Sequence, residues 1–597
     1  MIGYMQSTRY TVLAVTATVI LVIAVLIGAT TRPGIMTPVT ERLVGWVTGH
    51  ETSIGAAWLT WEDGPVYAIR EIDVADRLQA GSIDLRPNWF GFLPGIAMVG
   101  SATAASGTVI IDRTGGGSMS TDYESYIDEV SLSGIDVIIR RAYATSRFRI
   151  VEGSGSLRGG TLSLDAVAGD GRVYFRGDGK LARVETIAGD ATVEGPNLAT
   201  VAEALGIAAP DVPPFTLNGR LSVNADNWDL TGISGEIGDS DIGGALTVHF
   251  REPRPLIEAD LSSETLDFDD LGVIIGLPSV NEDGAALNEA QETANARYQQ
   301  STRFIPDASI DFSRLSIVDA DVRYTAASVV DAPFTISAFN LDLAIENSLL
   351  TIEEFTASMV DGQMSLSGTV NGREQPAESD LSGRFDDLDL ESIVPDRMAR
   401  GKLQGRLDLA LAGSDFRTAF GNADGSVSFW AEGARLAAVP IEAAGLDIGE
   451  ALVTLAGQDR DDPVYVEAPC LVASLDISDG IGTADPIVAD TEDSVIIVDG
   501  TVNLRNETLD LAVKADAKDF SWGTLMGDIT VGGSWRDPSI TVDAGGGAAQ
   551  VLFAGLLGAV AGPLAALPFF ETGDGKDVPC RSLLDRARSG NALPGGQ

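Results

Sequence analysis

Gly500-Thr501-Val502-Asn503-Leu504-Arg505, followed after Asn506-Glu507-Thr508 by Leu509-Asp510-Leu511-Ala512-Val513-Lys514, decides how the rest of the chain is read. In an extended backbone, successive side chains point to opposite faces. Val502 and Leu504 therefore share one side, and Thr501, Asn503 and Arg505 the other. The pattern resumes with Leu509, Leu511 and Val513 on one face and Asp510 and Lys514 on the other. This period-two alternation predicts two strands, each with one apolar and one wet face. The short gap between them predicts an antiparallel hairpin. Most of the chain repeats this unit. Thr161-Leu162-Ser163-Leu164, Arg220-Leu221-Ser222-Val223, Asn340 to Glu346 and Leu403 to Leu411 alternate in the same way. Gly, Asn and Asp clusters separate them, as turns require.

At 597 residues the chain exceeds one ordinary core, so it holds several domains or grows by addition of strands. It has 67 Gly against 8 Trp, 10 Tyr and 20 Phe, so turns are plentiful and large core anchors scarce. A net charge of −46 repels nucleic acid and excludes that partner. Two cysteines, Cys470 and Cys580, are too few for a disulfide scaffold, and their spacing suits no zinc site. His50 and His249 are the two histidines, which leaves the chain poor in imidazole bases and ligands.

Thr11 to Ala29 carries no charge. As a helix at about 1.5 Å per residue it is roughly 28 Å long, close to the bilayer core. The run is longer than the apolar region of a signal peptide. It is therefore expected to stay as a transmembrane anchor, with a short cytoplasmic tail and the bulk of the chain exported. Behind it, Pro38 to Val47 reads as a short amphipathic helix with Leu43, Val44 and Val47 at helical spacing. Asn197 to Ile207 reads as a brief helix within the β run. Ser279 to Arg303 is polar and rich in Ala, Glu and Gln, and marks a boundary. Ala548 to Phe570 is uncharged but interrupted by Pro563 and Pro568, so it suits a short apolar helix better than a second span. An internal repeat at an offset near 120 residues is suggested by Pro214-Phe215-Thr216 with Pro333-Phe334-Thr335, and by Leu266-Asp267-Phe268 with Leu388-Asp389-Leu390.

Catalytic motifs fail on inspection. Gly153-Ser154-Gly155-Ser156-Leu157-Arg158-Gly159 puts Arg158 where a dinucleotide loop needs its third glycine. Gly238-Asp239-Ser240 resembles a hydrolase block, but a nucleophile needs a base in reach, and His249 falls in an alternating strand. It reads as a turn. Phe385-Asp386-Asp387-Leu388-Asp389 lacks the glycine and the closing glutamate of a calcium loop. The expectation is therefore a non-enzyme without catalytic, cofactor or metal residues.

What remains is the apolar face, which something must cover. A second sheet does so in a sandwich, and apolar ligands do so in an open trough. At roughly 0.8 kcal/mol per CH₂, moving some thirty lipid methylenes through water costs on the order of 20 kcal/mol. A long apolar sheet face is one way to avoid that cost. Periodicity alone leaves both options open.

Four blocks resemble the AsmA family of the Gram-negative envelope, with a more distant likeness to TamB. The first is the N-terminal apolar run with Leu43-Val44-Gly45-Trp46-Val47-Thr48-Gly49-His50. The second runs from Pro213-Pro214-Phe215 through Gly238-Asp239-Ser240 to Leu266-Asp267-Phe268-Asp269-Asp270-Leu271. The third joins Ile305-Pro306-Asp307 and Asp319 to Tyr324 with Asp361-Gly362. The fourth runs from Cys470 through Gly500 to Leu504, Leu509-Asp510-Leu511 and Asp528 to Pro538, and closes with the apolar tail and Pro579-Cys580. The resemblance implies a single-pass inner-membrane protein with its bulk in the periplasm. It implies a groove-like sheet similar to bridge-like lipid transfer proteins, and a part in phospholipid transport between inner and outer membranes and in envelope integrity.

The expected fold is thus mostly β: an elongated antiparallel β-sheet groove with an N-terminal transmembrane helix and a short apolar C-terminal helical tail. The expected divisions are 1–10 (cytoplasmic tail), 11–29 (anchor), 30–278 (N-terminal β region), 279–303 (polar linker), 304–545 (C-terminal β region) and 546–597 (apolar tail and C-terminus). Leu407, Leu409, Leu411, Val502, Leu504, Leu509, Leu511 and Val513 are the acyl-chain candidates. Export would place Cys470 and Cys580 in an oxidising compartment, where they are expected to pair, with two free thiols as the alternative. The expected partners are phospholipid, the inner membrane through the N-terminal helix, and the outer membrane or one of its proteins. The alternative function is an assembly factor for outer-membrane proteins that binds client strands at exposed sheet edges.

Overall fold

A computed structural model describes residues 28–272, 315–437, 465–543 and 578–589, with Arg303 and Ile305. Within these ranges it leaves out residues 62, 89, 92–95, 115–126, 181–182, 225, 333–334, 395–398, 493 and 519–527. The predicted anchor lies outside the described residues except for its last two, Gly28 and Ala29, which are helical. The apolar run 548–570 and most of the linker 279–303 also lie outside them. Among the described residues no helix is long and apolar enough to cross a membrane.

Among the described residues the alternation is realised as 27 strands of one mainly antiparallel sheet. By contact density the chain forms two units. The division falls at residues 236–255, upstream of the polar boundary at 279–303.

The first unit opens with α1 (Pro33–Thr48). It continues with β1 (Thr52–Trp61), β2 (Pro65–Val74), β3 (Leu78–Pro87), β4 (Val99–Asp112), β5 (Ile127–Arg140), β6 (Thr145–Ser156), β7 (Gly160–Ala168), β8 (Gly171–Lys180) and β9 (Arg183–Gly195). Then come α2 (Leu198–Leu205) and β10 (Phe215–Asn224). Proline at the start of α1 and a left-handed Gly49 at its end, φ 69°, are ordinary helix punctuation. The helix is longer than the predicted 38–47, and its inward face differs. Val44 packs on the sheet, while Leu43 and Val47 are exposed. The predicted helix near 197–207 is α2, capped by the Asn197 side chain, which accepts from the Ala199 amide at 3.0 Å.

β11 (Asn227–Ile237) and β12 (Ser240–His249) contribute residues to both units. The second unit continues with β13 (Leu256–Asp267), α3 (Phe268–Gly272), β14 (Asp319–Val330), β15 (Ile336–Glu346), β16 (Leu349–Met359), β17 (Gly362–Asn371), β18 (Ala377–Asp389) and α4 (Leu390–Ile393). It then runs through β19 (Ala399–Arg400), β20 (Lys402–Gly413), α5 (Phe416–Gly421), β21 (Asp424–Ala437), β22 (Tyr465–Ser478), β23 (Ile481–Asp490) and β24 (Ser494–Asn503). It closes with β25 (Thr508–Ala517), β26 (Asp528–Ser534), β27 (Asp537–Asp543) and α6 (Cys580–Ser589). The hairpin predicted from Gly500 to Lys514 is β24–β25, in the register Val502↔Leu509 and Thr501↔Asp510.

The sheet is not purely antiparallel. β4 pairs with β5 and β13 with β14 in parallel. A parallel neighbour needs a crossover of a dozen or more residues. The connections spanning 113–126 and 268–318 meet that need, whereas the tight turns, such as 238–239 and 360–361, permit only antiparallel return.

The repeat is visible as architecture. β10 to β13 followed by α3 recur as β15 to β18 followed by α4. The strand starts 215/336, 227/349, 240/362 and 256/377 stand 121 or 122 residues apart. The junctions match in detail. Asp267 accepts from the Asp269 amide at 2.8 Å, and Asp389 from the Glu391 amide at 3.0 Å. The preceding leucines, Leu266 and Leu388, are both buried.

Candidate functional site

Residues directly opposite one another in neighbouring strands share a face of the sheet. In the second unit one such row runs Ala259–Val322–Leu343–Ile352–Gly368–Leu381 across β13 to β18. It continues Leu409–Gly425–Ile477–Gly482–Val502–Leu509–Gly533 across β20 to β26. Thirteen strands thus contribute no polar side chain to this row. The adjacent row, Leu261–Tyr324–Leu341–Phe355–Leu366–Gly383–Leu407–Val427–Leu475–Ala484, is apolar but for the Tyr324 hydroxyl, which bonds to the Ser263 hydroxyl at 2.7 Å. The opposite face reads Ser367–Ser382–Asp408–Ser426–Asp476–Thr483–Thr501–Asp510. Ion pairs such as Lys514 with Asp499 (3.5 Å) and Arg323 with Asp342 (3.9 Å) lie on the wet side.

Glycines in the apolar rows leave room for their neighbours. A Cβ on Gly383 would run into Leu366 and stand 3.0 Å from Leu407 Cγ. One on Gly405 would stand 2.6 Å from the Phe429 ring and 3.0 Å from Phe385. Large side chains thereby close over the glycine positions, and the row stays apolar across them.

The first unit has its own version. Ile54–Ile72–Ala80–Gly107–Ile135–Ile150–Ala166–Val173–Val193–Leu217 runs across β1 to β10 without a polar residue.

The acyl-chain candidates therefore fall on one face, but not in one environment. Leu407 and Leu411 are partly exposed, as are Leu343, Ile352, Phe355, Leu366 and Leu381 in the strands before them. Leu409 is 8% exposed. Val502, Leu509, Leu511 and Val513 are all buried, in a cluster with Ile487, Ile496, Ile529 and Val531. Leu504, at the hairpin turn, packs against both the Leu409 and the Leu511 clusters. Sequence reasoning named β20, β24 and β25 and passed over β16 to β18. In β16 a bulge between Ile352 and Phe355 breaks the period of two, and in β17 and β18 glycine replaces the expected large residue. The alternation of β15 was legible.

Cys470 and Cys580 form a disulfide, with Cα atoms 5.9 Å apart. It fixes α6 on the wet face, where Leu584 and Ala587 cover Trp430, Cys470 and Val472. Arg586 pairs with Asp485 and Arg588 with Glu432, and the Ser589 carbonyl accepts from Arg406 at 2.8 Å.

Gly238-Asp239-Ser240 is the β11–β12 turn. The Asp270 carboxylate accepts from the amides of Asp239 (3.0 Å) and Ser240 (2.9 Å) and from the Ser240 hydroxyl (2.6 Å). Ser240 Oγ in turn accepts from the Asp267 amide at 2.9 Å. The serine clamps backbone, and its hydroxyl is held by the Asp270 carboxylate, not by His249. His249 bonds to Asn227 at 2.8 Å. No group of side chains suited to a metal ion occurs among the described residues.

The model of the AsmA family matches residues 181–487, which run from β9 into β23 and include Leu407 to Leu411. The AsmA family protein YhjG of Escherichia coli (strain K12) is 27% identical over 406 residues, covering 66% of this chain and 58% of that protein. The chain thus spans a little over half the length of that relative. No solved structure matches.

Proposed function

The chain belongs to the AsmA family, and from that premise we propose that it is an inner-membrane-anchored, periplasmic protein that takes part in phospholipid transport between the two membranes and in envelope integrity, by holding acyl chains on its apolar sheet face. The observation that carries this reading is the stretch from Leu343 to Leu407. There, two apolar rows cross β15 to β20 and their side chains, Leu409 apart, remain partly exposed. Such a surface is unfavourable in water by about 25 cal/mol per Å² and favourable against hydrocarbon. The opposite face of serine and aspartate gives lipid nothing to bind. The disulfide supports export, because such bonds persist in oxidising compartments. On this reading the protein carries lipid without chemically altering it.

The assembly-factor alternative draws less support. It needs accessible sheet edges, and on β1 the amides of Ile54 and Ala57 already donate to the Glu41 and Thr37 side chains of α1, each at 2.9 Å.

A photo-crosslinking residue at Leu381 and at Leu407, in cells expressing the full chain, tests the proposal against the wet-face positions Ser382 and Asp408. Phospholipid is expected on the first pair alone. Equal capture from both faces, or none, would remove the lipid reading. Capture of outer-membrane polypeptide in its place would favour the assembly factor.

A further inference from the structure

The surface of α1 shows a feature that the lipid-holding face does not explain. Ile35, Val39, Leu43, Trp46 and Val47 are 46%, 51%, 56%, 82% and 68% exposed. Their spacing, four, four, three and one, places them on one side of the helix. The other side is engaged with the sheet. Thr37 and Glu41 accept amides of β1, Thr40 bonds to the Tyr67 hydroxyl, and Val44 packs against the Ile54 and Ile72 cluster. The usual arrangement of a surface helix is therefore largely reversed: apart from Val44, the side chains engaged with the sheet are polar, and the large apolar ones face outward.

We propose that this outward face of α1 lies in the headgroup and upper acyl region of a lipid bilayer, as a second membrane contact beside the anchor. Two observations choose this occupant. The first is where the apolar run Thr11 to Ala29 ends: three residues, Thr30, Thr31 and Arg32, separate it from Pro33, so a chain leaving the bilayer there starts α1 at the membrane surface. The second is charge. In a chain of net charge −46, the exposed face of α1 carries no acid. Glu41 is turned to β1, and Arg42 stands among the apolar residues, with Arg32 just before the helix. Trp together with Arg on an otherwise aliphatic face is the composition of a helix lying in the interface, where the indole sits at headgroup level and the guanidinium reaches lipid phosphate. The inference rests on the membrane-anchored part of the proposed function and is independent of lipid on the sheet face. It holds the edge strand β1 beside the membrane surface.

The two native cysteines are paired, so an introduced cysteine supplies the one free thiol. The full chain is reconstituted into vesicles of phosphatidylethanolamine and phosphatidylglycerol. It carries an environment-sensitive fluorophore at Leu43→Cys, at Trp46→Cys, or, as a wet-face control, at Asp510→Cys. Lipid bearing a spin label near its headgroup is expected to quench most of the emission at 43 and 46 and none at 510. If the protein floats with the vesicles but the labels at 43 and 46 stay unquenched and open to aqueous iodide, the anchor stands and the interfacial helix is refuted. If they are shielded from both quenchers, protein covers the stripe and the inference also fails. Failure to float overturns the anchor and the inference together.

Discussion

Between β15 and β20 the apolar face of the second unit is partly open, whereas between β23 and β26 it is sealed. The two stretches share alternation, register rows and wet-face chemistry. Their burial differs: Leu343, Phe355, Leu366 and Leu381 keep part of their surface, while Leu511 and Val513 keep 2% and 1%. At the sealed end the outer face is partly apolar too. Val472, Val488 and Val495 are buried there, and α6 covers its β21–β22 part. A strand buried on both faces acts as core, and one with a partly exposed apolar face retains surface for a ligand. The same pattern thus serves stability in one place and is available for binding in the other.

The largest effect should separate the two stretches directly. Leu511→Asp puts a carboxylate into the closed cluster and is expected to cost about 4–5 kcal/mol or more. Leu381→Asp, on the open stretch, should cost about 1–2 kcal/mol and abolish lipid capture in a chain that still folds. Urea unfolding of both full-length variants measures the gap, and equal losses would erase the distinction.

Next comes the disulfide. Cys470→Ala with Cys580→Ala opens a closure of 110 residues and should cost about 5 kcal/mol in chain-entropy terms. Hydrogen exchange is expected to rise in α6 and β22, while crosslinking of lipid at Leu381 stays unchanged. Reduced capture there would mean that the open stretch depends on the sealed end.

Lys518 tests the sealed end from within. Its ammonium stands 2.6 Å from the buried Asp490 carboxylate and donates to the Thr491 carbonyl at 2.7 Å. Lys518→Met leaves Asp490 buried without its counter-charge, an expected loss of about 3 kcal/mol. The pair Lys518→Met with Asp490→Leu should recover most of it. A single variant as stable as the parent would show that water reaches this end after all.

The smallest effect lies outside both stretches and serves as their control. Burial pushes the Asp267 carboxyl up to about 6, partly opposed by the hydrogen bond from the Asp269 amide and reinforced by Asp270 and Asp331. Unfolded, it titrates near 3.9. Its folded form therefore binds the proton more tightly. The stability this contributes is complete below about pH 4 and is lost as pH rises through about 6. Asp267→Asn keeps an acceptor for the Asp269 amide and should flatten the decline between pH 4 and 6 by about 2 kcal/mol. An unchanged slope would assign the decline to other carboxylates, such as Asp269 and Asp270, both also raised by burial.

The sequence by itself determined the strands, their two faces, the β24–β25 hairpin, the α2 helix and the family likeness. All of these follow from local chemistry. Alternation fixes which side chains share a face because the backbone period is two, and Asn197 or Gly49 ends a helix by its own conformation and hydrogen bonds. The repeat was legible only in part, since matching strand patterns recur by chance and the matching caps at Asp267 and Asp389 become visible in three dimensions. Only the tertiary structure decided what covers each face. The bulge in β16 carries the apolar row through Ile352 and Phe355, three residues apart, which no period of two predicts. Two long crossovers turned strand pairs parallel. Leu43 and Val44 are neighbours in sequence, yet one points outward and the other to the sheet, because α1 is oriented by its polar bonds to β1. The wet face of β21 and β22 is covered by α6, brought to Cys470 from 110 residues away. Burial is a property of two surfaces meeting, and a chain read in order shows only one of them at a time.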